Sequence, residues 1–129
     1  MGYHALLAEK ETEHLAIQRF FPLLAGMMLL AACGQSVGAK GHDVGAACST
    51  DRDCATRCSH DADFGLGMCT RPCASDRDCP SGAVCVTTDN GMCAVSCQTN
   101  SNCSDFGRGF ICGNKSAPAG GNVLVCRLP

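Results

Sequence analysis

Thirteen cysteines in 129 residues dominate the reactive side chains of this sequence, and their spacing decides which chemistry is open to them. Twelve fall into three groups of four: Cys48, Cys54, Cys58 and Cys69; Cys73, Cys79, Cys85 and Cys93; Cys97, Cys103, Cys112 and Cys126. Structural zinc asks for cysteine pairs two to four residues apart, usually with histidine. Only three-residue gaps come that close here, and past residue 33 the histidines are His42 and His60 alone. Thiol redox centres use C-x-x-C, which never occurs, and the closely spaced runs that hold iron–sulfur clusters are absent too. Disulfides are the expected use, and they belong to an oxidising compartment.

The acidic residues pose a second question. Asp51 with Asp53, Asp61 with Asp63, and Asp76 with Asp78 each stand two residues apart, a spacing that offers paired hard oxygens to calcium. Calcium takes six to eight oxygens from a longer ligand series that ends in an acidic residue, and no such series follows any pair. The third group carries Asn100 and Asn102 at the matching places, which removes the charge and keeps a side-chain acceptor. The expected role is therefore to accept backbone N–H groups at a turn or short helix, with a calcium-binding module kept as an alternative. His60 next to Asp61 and Asp63 is adjacency in sequence and not the geometry of a base with its orienter, so His60 is expected on a surface loop and His42 in a solvated linker. Past residue 33 there is no Glu or Tyr, and no nucleophile elbow or phosphate loop; no catalytic residue, cofactor or metal site is expected. Arg71-Pro72, Arg108-Gly109 and Lys115-Ser116 offer basic positions to a trypsin-like pocket, which makes a disulfide-rich protease inhibitor a further alternative. A net charge of −2 without a basic run argues against nucleic acid or an anionic membrane surface as a partner. Phe64, Phe106 and Phe110 are expected to fill a small core and not to stack bases.

The elements that must position these residues divide into an N-terminal segment and a cysteine-rich remainder. Phe20 to Ala32 is a run of thirteen mainly apolar residues behind Arg19, too short for a spanning helix of about twenty and of the length of a signal-peptide apolar region. Residues 1–32 are expected to be a signal peptide. Its first 19 residues are long, and Glu9, Glu11 and Glu13 outnumber Lys10 and Arg19; translation from a start near Leu15 or Ile17 would remove that anomaly. Leu30-Ala31-Ala32-Cys33 resembles the lipobox of bacterial lipoproteins, which implies lipidation of Cys33 and a membrane anchor of two or more acyl chains. Two chains hold stably where one does not. Cysteine parity agrees, because setting Cys33 aside leaves an even number able to pair. Gly34 after the cysteine, in place of Asp, resembles the default signal for the outer membrane. Residues 33–43, the lipidated cysteine and the glycine-rich stretch after it, are expected to form a flexible tether whose ends lie about 15–20 Å apart.

From Val44 to Pro129, only 13 of 86 residues are Leu, Ile, Val or Phe, and 12 are Cys. Such a composition marks a disulfide scaffold in place of a large core. The fold class expected over 44–129 is small and disulfide-rich, built from short β-hairpins and helical turns with little regular secondary structure. The groups at 48–69, 73–93 and 97–126 share a C-x5-C opening and x3 joins, which reads as three tandem repeats of about 25 residues. Asp89-Asn90-Gly91 between Val84–Thr88 and Met92–Val95 predicts a hairpin. The third group predicts a larger one with a loop from Gly113 to Asn122, and the first a glycine-rich version over Phe64–Cys69. Within each group we expect interleaved pairing, first cysteine with third and second with fourth.

Cys73 to Cys85, CASDRDCPSGAVC, resembles the repeats of bacterial cysteine-rich tandem-repeat lipoproteins, and more distantly the array is similar to Dickkopf-type N-terminal and colipase-like modules. The resemblance implies a disulfide core that presents loops to a partner. The function expected is that of an exported lipoprotein in the cell envelope, anchored to the outer membrane. It would serve as a non-catalytic binding or structural module for a protein or surface-polymer ligand.

Overall fold

A computed structural model describes residues 36–129. The expected signal peptide at 1–32, its start, the lipidation site Cys33 and the two residues after it lie outside the described residues. The fold is small and disulfide-rich. Three two-stranded antiparallel hairpins follow one another, β1 (Arg57–Ser59) with β2 (Met68–Thr70), β3 (Ala83–Val86) with β4 (Met92–Val95), and β5 (Ile111–Ser116) with β6 (Asn122–Arg127). A 3-10 turn precedes each hairpin, at Asp51–Asp53, Asp76–Asp78 and Asn100–Phe106. None of these described elements is a helix long and apolar enough to cross a membrane.

Strands of three or four residues do not hold together in water on their own, and here covalent bonds hold them to the turns. In every hairpin the third and fourth cysteines face each other across the strands, Cys58 opposite Cys69, Cys85 opposite Cys93 and Cys112 opposite Cys126. They do not bond to each other. Each reaches instead to the turn in front of the hairpin, as Cys48–Cys58 and Cys54–Cys69, Cys73–Cys85 and Cys79–Cys93, Cys97–Cys112 and Cys103–Cys126. This is the interleaved pairing expected in each group. The Cα–Cα separations are alike from group to group, 5.9, 5.9 and 5.8 Å for the first bridge and 5.3, 5.5 and 5.3 Å for the second. The residue before the first cysteine also bridges to the residue before the fourth, Ala47 with Met68, Pro72 with Met92 and Ser96 with Val125, which adds a third short edge to each hairpin.

That third edge explains two glycines. The N–H of Cys48 donates to the Gly67 carbonyl and that of Cys73 to the Gly91 carbonyl, each at 3.2 Å. A Cβ on Gly67 would stand 2.2 Å from the Cys48 carbonyl oxygen, and one on Gly91 2.1 Å from that of Cys73. In the third group the matching residue is Leu124, and the Cys97 N–H donates to its carbonyl at 3.2 Å. Leu124 lies inside the six-residue strand β6, with an ordinary extended backbone that leaves room for a side chain.

The hairpins share one core. Phe64 and Met68 from the first group, Val86, Met92 and Ala94 from the second and Val125 from the third pack together, with Val84 and Val123 against them. A second cluster joins Val44, Ala83, Cys93 and Val95, and half-buried Val37 and Phe106 pack on it.

Three expectations need correction. Residues 36–43 are no flexible tether. Val37 bridges to Val44, the N–H of Gly38 donates to the Val44 carbonyl at 2.9 Å, and Asp43 is buried facing Arg71. Glycine serves close packing there, since a Cβ on Gly41 would meet the Ser36 carbonyl oxygen at 2.4 Å. The loop expected from Gly113 to Asn122 is mostly strand, because both strands run on past the cysteines and leave only 117–121 as the turn. In the first group Phe64 belongs to a 3-10 turn, Ala62–Phe64, and the strand opposite Met68–Thr70 is Arg57–Ser59.

Gly91→Ala is expected to destabilise far more than Gly120→Ala. Gly120 also has a positive φ but open space around it, so its substitution carries only backbone strain of about 1 kcal/mol. At Gly91 (φ +105) the clash with the Cys73 carbonyl adds to that strain, for a total of roughly 3 kcal/mol, readable as the difference in chemical-denaturation midpoints of the two oxidised variants.

Candidate functional site

The paired acids do the same job in all three groups. The first member reaches forward to the hairpin: Asp51 Oδ1 accepts the N–H of Cys58 at 2.8 Å, Asp76 Oδ1 that of Cys85 at 2.8 Å, and Asn100 Oδ1 that of Cys112 at 2.9 Å. The second reaches back to the turn's entry. Asp53 Oδ2 accepts from the N–H groups of Ser49 and Thr50, Asp78 Oδ2 from Ala74 and Ser75, and Asn102 Oδ1 from Gln98 and Thr99, all between 2.8 and 3.0 Å. These backbone donors hold the Asp53 and Asp78 carboxyls below the usual carboxylate range. An amide oxygen performs both tasks as well as a carboxylate, which accounts for the asparagines of the third group. Sulfur atoms also gather, as in Cys73, Cys79 and Cys93. Each gathering is the crossing of two disulfides, whose sulfurs are not thiolate ligands.

His60 and the acids after it are parted by the fold. The exposed His60 ring donates from Nδ1 to the Leu66 carbonyl at 3.0 Å, Asp61 accepts the N–H of Asp63 at 3.0 Å, and Asp63 faces the third group. There its oxygens meet Lys115 Nζ at 2.5 Å and Arg127 at 3.2 Å, while its carbonyl accepts the N–H of Leu128 at 2.7 Å. Lys115 also lies 5.8 Å from the Phe64 ring centroid. His42 stays exposed, as expected, but its Nδ1 donates to the Asp53 carbonyl at 3.0 Å. The three basic positions separate likewise: Arg71 faces the buried Asp43 at 3.3 Å without hydrogen-bond alignment, Lys115 holds Asp63, and Arg108 alone is exposed.

An open cleft of about 790 Å³ lies between the first and third groups. One wall is Phe64 to Met68. The other is Phe106, Phe110 and Leu128, with the two rings 5.5 Å apart and tilted by 31°. Leu66 projects from the rim with 97% of its surface exposed. Ala39, from the stretch expected to be a tether, lines the same cleft, as do Asp105 and Arg108. No protein-family model, curated protein or solved structure matches the chain. The cleft must be read from its own residues. Of the phenylalanines expected in the core, Phe64 is buried there, whereas Phe106 and Phe110 are half-buried and open to this cleft. Sequence reasoning did not single out Leu66; the glycines on either side of it were the available signal, since they mark a tight projecting bend.

Two predictions follow from these roles. Asp76→Asn should leave stability within about 0.5 kcal/mol, whereas Asp76→Ala should cost about 1 kcal/mol through the lost acceptor, and neither melting curve should respond to calcium or to a chelator. Asp63→Asn should cost about 1–2 kcal/mol at neutral pH. The hydrogen bond from Lys115, aided by the Arg127 charge, holds the Asp63 carboxyl below its ordinary value. A carboxyl whose folded pKa is depressed stabilises fully above its unfolded value of about 3.9 and loses that contribution as pH falls through the folded value. Thermal melts from pH 7 down to pH 2 should therefore show the gap between the parent and Asp63→Asn closing below about pH 4.

Proposed function

We propose that this protein is an exported bacterial lipoprotein, acylated at Cys33, whose three cysteine repeats form a rigid, non-catalytic binding module in the cell envelope. The observation that carries the reading is the cleft. Exposed Leu66 and Arg108 and half-buried Phe110 meet there, apolar and charged side chains side by side. A pre-formed concave surface of this size, apolar with a few polar groups, suits binding. Six disulfides support export, since such bonds persist outside the cytosol. The lipobox-like Leu30–Cys33 and the apolar run before it support the anchor.

Intact mass spectrometry of protein extracted from membranes and alkylated without reduction tests this. The expected result is a chain that starts at acylated Cys33 and carries no alkylated cysteine, with Cys33→Ala moving the protein to the soluble fraction. An unacylated chain with many free thiols would overturn both export and anchoring.

A further inference from the structure

We propose that the partner of the cleft's rim is the lipid surface in which the protein is anchored, so that the module lies against the membrane and does not stand off it. The inference rests on acylation at Cys33 and begins from chain length. Because Ser36 to Asp43 are folded into the domain, only Gly34 and Gln35 separate the lipidated residue from fixed structure. An extended chain advances at most about 3.6 Å per residue, so Ser36 lies within roughly 11 Å of Cys33 and Ala39 within roughly 22 Å. A folded body of this length is about 30 Å across. The anchor therefore draws down the face that carries Ser36, and Ala39, three residues on in the same folded loop, lines the cleft.

What that face presents fits a lipid interface. Leu66 stands 97% exposed at its rim, and half-buried Phe110 and Leu128 lie beside it. An apolar group left in water by the fold gains by entering the boundary between headgroups and acyl chains. Exposed Arg108 in the lining suits a lipid phosphate, as does exposed Lys40, the residue after Ala39; at about 1 kcal/mol each they add to apolar insertion and do not replace it in a chain without a basic run. Asp53, also in the lining, turns its carboxylate to the backbone N–H groups of Ser49 and Thr50. Asp105 remains as the opposing charge. The β5–β6 hairpin gives the opposite pole. Its open end, at Phe110 and Leu128, borders the cleft, and six residues at about 3.3 Å each carry its tip, Ala117–Gly121, roughly 20 Å away.

The chain has no tryptophan, so a single one reports its surroundings. Full-length acylated protein carrying either Leu66→Trp or Ala119→Trp, with acylation checked by intact mass, is reconstituted on vesicles of phosphatidylethanolamine and phosphatidylglycerol. Both positions are exposed, so neither substitution threatens the fold. Dibrominated acyl chains, which quench tryptophan on contact, should reduce emission from Leu66→Trp by about half or more, as for a group buried ~5–10 Å into the interface. They should leave Ala119→Trp unchanged. Equal emission from acylated Leu66→Trp with and without bromine would overturn lipid docking while leaving the anchor intact, and would point to a protein in the cleft. A chain found unacylated at Cys33 would overturn the anchor itself, and the docking with it.

Discussion

Each of the three units depends on two disulfides that cross between a 3-10 turn and the hairpin behind it. A hairpin of three or four residues per strand buries too little to hold its own shape, and a single helical turn has no stability of its own. Bonding the third and fourth cysteines to the turn, and not to each other, makes each element the support of the other. In the entropy account the bridges close loops of 10 to 23 residues, each worth about 3 kcal/mol. The acid or amide pair completes the clamp without covalent bonds. One oxygen ties the turn to the hairpin's third cysteine and the other closes the turn's entry, so the same joint is made by sulfur and by hydrogen bonds.

Once clamped, the units have little surface left to bury, and they bury it in common. Met68, Met92 and Val125 precede the fourth cysteine of each group and meet in the central cluster. Polar contacts pin the seams. Ser59 bonds Asp89, Thr70 Oγ1 donates to the Cys93 carbonyl at 2.6 Å, and the Thr87 N–H donates to the Ser116 carbonyl at 2.9 Å. The cleft is what this arrangement leaves over. It forms where the first and third groups meet beyond Asp63, and the loops on both sides bring Leu66, Phe110 and Leu128 to it.

The parts of this architecture written in local spacing could be read from the sequence. The cysteine intervals, the acids around each opening turn and the Asp-Asn-Gly turn foretold the units, the interleaved pairing, the turn-capping acids and the second hairpin, but not the bond from the first acid to the hairpin's third cysteine. Distance in the sequence hid the rest. Nothing local ties Asp63 to Lys115 and Arg127, so neither the closure of the first group on the third nor the cleft beside it could be foreseen. Glycine misled in one direction: Gly38 and Gly41 look like a flexible stretch by composition, whereas Gly41 is small because carbonyl oxygens lie against it. The third hairpin exceeded its expected length because Lys115 and Asn114 gain partners in strand form, Asp63 for one and the Arg127 side chain for the other.

The seam between the first and third groups also sets an arithmetic limit. An open stack of like units can lengthen by one, since its last member presents the same face as every other. Here the last unit turns back on the first, and the basic side chains of β5 and β6 are already committed to an acid more than fifty residues upstream. A further unit spliced in at either join would have to part contacts already made, and loss of the third unit would strand Asp63 without its cations. The number of units is thus fixed by the way the last one closes on the first.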